Sequence, residues 1–342
     1  MPECYGIHVS DPAGRIKVDG FGRDCIPYLR KYLEFTGFEG RGTDTRIPPR
    51  KMGHARTMTL AVVSGLRALP VWMVVTGLAA VSLLAVWPLL WGGTIEGWDG
   101  HFHKQWSFIF AEQVLAGDLY PRWLAQSNFG LGSPAFYFYG PIPYYISTPL
   151  YGLLAGDITK DSGWNYLGGA SALGLFLMGL GTFLWTRRFT TKLSALLAAL
   201  FVMLSPYIFA YDVYIRFGYA EFWAAAMLPF CMIAVSDYIL EREAHIGTFA
   251  IFYALAIMCH LPTAIIFSMC LCVVVGLTLA SRRSVRGLPQ LAIAAFLGLA
   301  ISALYLSPVI FDRSFISPEF LVEKEIFRYS NNFMFSNAHG SN

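Results

Sequence analysis

The sequence predicts an all-α integral membrane protein that crosses the bilayer about seven times, with one large external loop after the first span. Three observations predict this. Hydrophobic residues make up 56% of the 342-residue chain and charged residues 14%, against about 45–50% and about 25% in a soluble domain. Mean hydropathy is +0.51. The apolar residues gather in runs of about 20, the length a helix needs to cross a hydrocarbon core of about 30 Å. The same composition excludes a disordered chain, a soluble enzyme and a nucleic-acid binder. A net charge of +3 is too small to imply a polyanionic partner.

Charge divides the chain. Residues 1–58 hold 17 of the 47 charged side chains. Residues 1–57 are dotted with Gly and Pro, show no sustained period and contain no signal-peptide core. They read as a polar cytoplasmic tail, or as sequence ahead of a start at Met52 or Met58. A membrane domain over 58–312 and an external C-terminal tail over 313–342 follow. The six cysteines (Cys4, Cys25, Cys231, Cys259, Cys270 and Cys272) form no Cys-x-x-Cys pair. Four lie in apolar runs, so they read as buried thiols rather than a disulfide framework or a metal site.

The expected spans are 68–91, 164–186, 193–211, 222–240, 246–259, 263–280 and 288–308. Positive charge orients them. Arg46, Arg50, Lys51, Arg56 and Arg67 precede the first span and place the N-terminus in the cytoplasm. Arg187, Arg188 and Lys192 belong on that side too, as do Arg282, Arg283 and Arg286. This holds if the short, proline-rich run 141–156 is re-entrant or juxtamembrane. Residues 92–163 then form the external loop. Asp99, His101, His103, Asp212, Arg216, Glu221 and His260 all fall on the external face. Polar groups within a membrane domain are costly and tend to be functional, and here they converge on one side.

The loop carries the chemistry. Phe102, Trp106, Ile109, Phe110, Val114 and Leu115 repeat at helical spacing, which predicts a helix lying in the interface plane. Gly117 suits its end. Asp99 precedes this helix. It reads either as an N-cap, or as a general base or a metal ligand with His101 or His103. A divalent metal is thus a possible cofactor, on a weak Asp-x-His-x-His signal. Phe136–Tyr139 with Tyr144 and Tyr145 forms an aromatic patch, read as interface anchoring or as a surface for a sugar or lipid headgroup. Arg122 can pair with phosphate, or with Glu112, Asp118 or lipid. Arg216 and Glu221 stand five apart, poor neighbours on one helix, so a break near Gly218 would join them. His260, in His260-Leu261-Pro262, marks a helix break.

Several strings carry a resemblance. They are Gly97-Trp98-Asp99 with His103, then Gly117-Asp118-Leu119-Tyr120-Pro121-Arg122-Trp123 and Asn128-Phe129-Gly130-Leu131-Gly132-Ser133-Pro134. Tyr139-Gly140-Pro141-Ile142-Pro143-Tyr144-Tyr145 follows, then Tyr214-Ile215-Arg216 with Tyr219-Ala220-Glu221, and His260-Leu261-Pro262. Over about 68–312 the chain resembles bacterial 6-pyruvoyl-tetrahydropterin-synthase-related polytopic membrane proteins. Nothing in these residues indicates pterin chemistry.

The layout also looks like the GT-C class of membrane glycosyltransferases. That resemblance implies an inner-membrane enzyme acting at its external face. It would transfer a sugar from a polyprenyl-phosphate donor to a glycan, lipid or protein acceptor, with inversion. Asp99 would be the base, with His103 beside it. Arg122, Arg216, Glu221, His260, Tyr144 and Tyr145 would hold substrate and phosphate. The chain ends about 30 residues after its last expected span, where the family runs longer, so the resemblance implies either a truncated product or an incomplete catalytic unit. One Asp99 stands where some GT-C enzymes have two acids. The alternative is a non-catalytic protein that binds or assembles lipid-linked glycans.

Overall fold

The computed structural model describes residues 70–91, 97–154, 166–240, 242, 245–282 and 285–315. The expected tail over 1–57 and residues 316–342 lie outside the described residues. Every regular element among the described residues is helical.

Helix α1 (Val71–Ala85) starts after extended Pro70. A turn at Val86 separates it from α2 (Trp87–Trp91), so the single span expected over 68–91 is a helix, a turn and a short helix. Pro88, at the second position of α2, suits such a restart. Helix α3 (Gly100–Leu115) and α5 (Ile142–Leu154) pack on each other, with α4 (Ala135–Phe138) between them in sequence. Over its 13 described residues α5 is about 20 Å long, short of the hydrocarbon core.

Helix α6 (Tyr166–Thr186) leads to α7 (Lys192–Met203), whose N-cap Thr191 accepts a hydrogen bond from the Ser194 amide at 3.3 Å. The run expected as one helix over 193–211 changes form here. Ser205 is extended and Pro206 opens a π-helix, Pro206–Ile215. Proline lacks the amide that would continue α7 and pushes the residue before it out of the helical region. Helix α8 (Tyr219–Ile239), α9 (Ile246–Cys259) and α10 (Leu261–Arg282) follow. The last expected span is bent by 71° between α11 (Leu288–Ile301) and α12 (Ala303–Phe311). At the bend the Ser302 hydroxyl turns back onto the carbonyls of Gly298 and Leu299, each at 3.0 Å, a contact that bends helices.

Helix α8 is the centre of the bundle. It packs on α6 and α9, while α6 also meets α1 and α7, and α9 meets α11. Small residues let the helices close in, as where Gly174 and Gly181 of α6 face Phe222 and Phe230 of α8. About 78% of the apolar window of α8 is buried in protein, against 6% for α10. Helix α10 therefore turns Ile265, Ile266, Met269, Val273 and Leu277 outward. Cys231 and Cys259 are buried, but Cys270 and Cys272 sit exposed on this outer helix. An apolar run marks a thiol as out of water, not as inside protein.

Among the described residues four helical segments are long and apolar enough to cross a membrane, or five if the bent pair is one span. The protein is an all-helical membrane protein. Helices α1 and α9 are apolar but shorter, at 15 and 14 residues. Two charged clusters mark the ends of α8. Glu221 lies in its first turn. Asp237 near its end pairs with Arg188 and lies 3.7 Å from His245. Sixteen residues of helix put the clusters about 24 Å apart, which is close to the thickness of a hydrocarbon core.

Candidate functional site

The Glu221 end of α8 gathers groups from five stretches of chain. The first is 97–99. Its backbone pairs with the end of the π-helix, the Trp98 amide donating to Ile215 O at 3.3 Å and the Asp99 amide to Arg216 O at 2.9 Å. Gly97 permits this approach. A Cβ there would stand 2.6 Å from Arg216 O and 2.7 Å from Phe217 Cβ.

Phe217 supplies the turn. Its φ is +56°, a left-handed conformation that costs a bulky residue of order 1–3 kcal/mol. It is held by burial and by stacking on Tyr219, ring centres 5.5 Å apart and planes 9° from parallel. The turn ends the π-helix and starts α8, so Arg216 and Glu221 meet although five residues apart.

Arg216 is the hub. Its Nε donates to Asp99 Oδ2 at 2.9 Å and its Nη1 to Glu221 Oε2 at 2.6 Å. The other Glu221 oxygen accepts from the Tyr207 hydroxyl at 2.5 Å. Burial opposes the Arg216 charge, but the hydrogen bonds and charges of Glu221 and Asp99 outweigh it and hold its pKa above the ordinary value. The Asp99 side chain keeps 40% of its exposure, the most of the three. Asp99 is the residue before α3, yet its side chain makes no capping bond. Its carboxylate turns to Arg216 instead.

Asp212 completes the cluster. It is 1% exposed, and neither carboxylate oxygen has a hydrogen-bond partner among the described residues. Arg216 Nη1 lies 4.0 Å from its Oδ1. Three carboxylates thus surround one guanidinium. A buried polar group without a partner is uncommon, and π-helical turns gather at functional sites. From the sequence Asp212 is one more external charge with no role of its own. Its spacing of four from Arg216 was the available signal.

Behind this cluster lies a neutral pocket of rings. His103 is 3% exposed and its Nδ1 shares a hydrogen bond with the Tyr144 hydroxyl at 2.7 Å. Phe217, Tyr139 and Tyr219 ring it with centres about 6 Å away. Burial first, then the charges of Arg216 and His260, lower its pKa to about 3. His260 caps α9 in an extended conformation and pairs with the Thr263 hydroxyl at 2.8 Å. Its ring centre stands 6.4 Å from that of Tyr139. Burial lowers its pKa, with Glu221 opposing. Gly140 permits contact here, because a Cβ would strike the carbonyls of Met258 and Cys259.

Two predicted site residues lie elsewhere. Arg122 donates to Leu304 O at 3.1 Å and stands over the rings of Tyr120 and Tyr137 at 4.7 and 5.8 Å. The Tyr145 hydroxyl donates to Leu119 O at 2.5 Å and its ring packs on Phe110. Arg122 is expected at the site for its phosphate-pairing guanidinium and Tyr145 for its place in the aromatic patch, and in the structure these contacts fasten the loop. His101 is exposed, and two helical positions turn it about 200° from His103. Among the described residues no group of three or more His, Cys, Asp or Glu is placed to hold a metal ion.

The face that α3 turns to the protein is only partly the apolar stripe read from its sequence. It runs through His103, Ser107, Ile109, Phe110 and Ala111, while Phe102 and Leu115 are exposed. The reason is polar pairing across α3 and α5, His103 with Tyr144 and Ser107 with Ser147 at 2.9 Å. A hydrophobic period does not count such pairs.

Comparison with known proteins gives one match. A family model described as a 6-pyruvoyl-tetrahydropterin synthase related domain, membrane protein, covers residues 136–319, more than half of the chain. That range holds Tyr139, Tyr144, Asp212, Arg216, Glu221 and His260, while Asp99 and His103 precede it. No curated protein and no solved structure matches the chain. The chain belongs to the family of membrane proteins that carry the 6-pyruvoyl-tetrahydropterin synthase related domain.

Proposed function

We propose that the protein is a membrane glycosyltransferase of GT-C-like layout that transfers a sugar from a polyprenyl-phosphate donor to an envelope acceptor. In this reading α1 with α2, and α9, count as crossings alongside the longer helices. Seven spans then place the Asp99 end outside the inner membrane and the Asp237 end in the cytoplasm. The observation that carries the reading is the Asp99–Arg216–Glu221 constellation. A carboxylate that keeps part of its exposure is held 2.9 Å from a guanidinium, at the end of a helix bundle.

The chemistry follows from the parts. The acceptor hydroxyl oxygen attacks the anomeric carbon, and the bond from that carbon to the phosphate oxygen breaks. Asp99 takes the hydroxyl proton. The electron pair leaves with the lipid phosphate, whose charge Arg216 stabilises with the guanidinium nitrogen that Asp99 and Glu221 leave open. Glu221, pinned by Tyr207, positions Arg216. Neutral His103, Tyr144 and His260 line the site and keep water from the oxocarbenium-like centre. Tyr145 and Arg122 brace the loop.

A second reading, in which the protein binds a lipid-linked glycan without turnover, draws on the aromatic patch Phe136–Tyr139. Mass spectrometry of envelope glycolipids and glycoproteins separates the two, in wild type, a deletion strain and an Asp99→Asn strain at matched protein level. Catalysis predicts one glycan missing from both altered strains. A glycan lost on deletion alone overturns it in favour of binding.

A further inference from the structure

A second recess lies on the other side of the aromatic segment. It encloses about 400 Å³ and is lined by Trp123, Pro134, Tyr137, Phe138, Asp312 and Phe315. That volume falls within the range of small-molecule sites, about 300–1,000 Å³. None of the charged groups around Asp99 lines it. Tyr137 and Phe138 line it, whereas Tyr139, the next residue, faces His103 and His260. The Tyr305 hydroxyl donates to Phe138 O at 3.0 Å and ties α12, and so Asp312, to this wall.

Its chemistry has a definite sign. Four aromatic side chains offer faces that attract cations. Among the described residues Asp312 is the one charged residue of the lining, and it forms no ion pair. Asp312 is half-buried, so its carboxylate attracts a cation placed beside the rings. A neutral occupant would leave that charge unanswered, and an anion would be repelled. Directly beside the recess stands a cation. Arg122 precedes Trp123 in the chain and sits over the Tyr137 ring at 5.8 Å, with one bond to Leu304 O. A carboxylate with rings thus adjoins a guanidinium, which fits a ligand carrying an ammonium group a short distance from a phosphate.

We propose that this recess binds the headgroup of a zwitterionic phospholipid from the surrounding bilayer. The ammonium enters among Trp123, Tyr137, Phe138 and Phe315 against Asp312, and the phosphate meets Arg122. The site is separate from the constellation at Asp99 and does not depend on its function.

The test is native mass spectrometry of the full-length protein, released from an equal mixture of phosphatidylethanolamine and phosphatidylglycerol. Wild type retains phosphatidylethanolamine in preference to phosphatidylglycerol. Asp312→Asn reduces that preference about tenfold, the equivalent of one lost ion pair assisted by rings. Arg122→Gln lowers retention of both lipids, because both carry phosphate. Melting temperature and monodispersity serve as folding controls. Tyr137→Leu supplies a second probe that removes a ring and leaves both charges in place. Equal retention of the two lipids by wild type overturns the proposal. So does an unchanged preference in Asp312→Asn.

Discussion

Arg216→Gln removes the only cation that answers three carboxylates among the described residues, and its cost can be worked from the geometry. Arg216 donates at 2.9 Å to Asp99 and at 2.6 Å to Glu221, and stands 4.0 Å from the buried Asp212. Removing one partner of a buried ion pair costs about 3–5 kcal/mol. The side chains of Asp99, Arg216 and Glu221 keep 40%, 27% and 20% of their exposure, so water screens part of the loss. A cost of about 2–3 kcal/mol remains. At about 2.1 cal/mol/K per residue, 1 kcal/mol shifts the melting temperature of a 342-residue chain by about 1.4 °C, so a fall of about 3–4 °C follows. Intrinsic-fluorescence melting of purified wild type and variant in one detergent measures it. Arg216→Lys should recover about half, because it restores charge without the planar fork. Adding Asp212→Asn to Arg216→Gln should also recover part, since it removes one uncompensated charge. An Arg216→Gln protein that melts with wild type would refute the argument that this cluster is electrostatically coupled.

The remaining predictions concern the same end of the bundle. Asp212→Asn alone should raise the melting temperature, because it discharges a buried group whose oxygens have no hydrogen-bond partner; an unchanged or lower value contradicts this. Tyr144→Phe should cost about 1–3 kcal/mol by stranding His103 Nδ1, read by thermal melting against the milder Tyr137→Phe. His103 titrates near 3 in the fold and near 6.5 unfolded. The unfolded state therefore binds the extra proton between those values. Stability from this residue is complete above pH 6.5 and falls as pH drops towards 3, so melting temperature should decline on acidification below pH 6.5, less in His103→Gln than in wild type. Gly97→Ala places a Cβ against the Arg216 carbonyl and Phe217 and should cost about 1–3 kcal/mol, visible as lower melting temperature and looser packing of residue 216.

The helices were legible in the sequence because lipid demands long apolar runs, but two of their breaks were not, since the expected spans 68–91 and 193–211 ran straight across Pro88 and Pro206. Pro206 ends α7 and Pro88 accompanies the restart after α1. The junction of Arg216 with Glu221 was also legible as a requirement, since spacing five cannot meet without a break. The break falls at Phe217, whose left-handed backbone no local pattern announces. What stayed hidden depends on distant pairing. Asp99 meets Arg216 across 117 positions, and its lack of a capping bond follows from that contact. The protein-facing side of α3 was not legible because His103 and Ser107 are polar, and their partners lie about 40 residues away on α5. Asp212 was visible as a charge, but its isolation is a property of packing.

The central claim is that Asp99 works on a substrate rather than holding Arg216 in place. If so, a strain lacking the protein accumulates the glycosylated polyprenyl phosphate that the protein would consume. Membranes from that strain, incubated with purified protein, supply donor and acceptor without naming either. Release of free polyprenyl phosphate is then followed by mass spectrometry for wild type and for Asp99→Asn at equal folded concentration. The account predicts release with wild type and at least a hundredfold less with Asp99→Asn, the scale of a lost general base. Equal release by both proteins would contradict it.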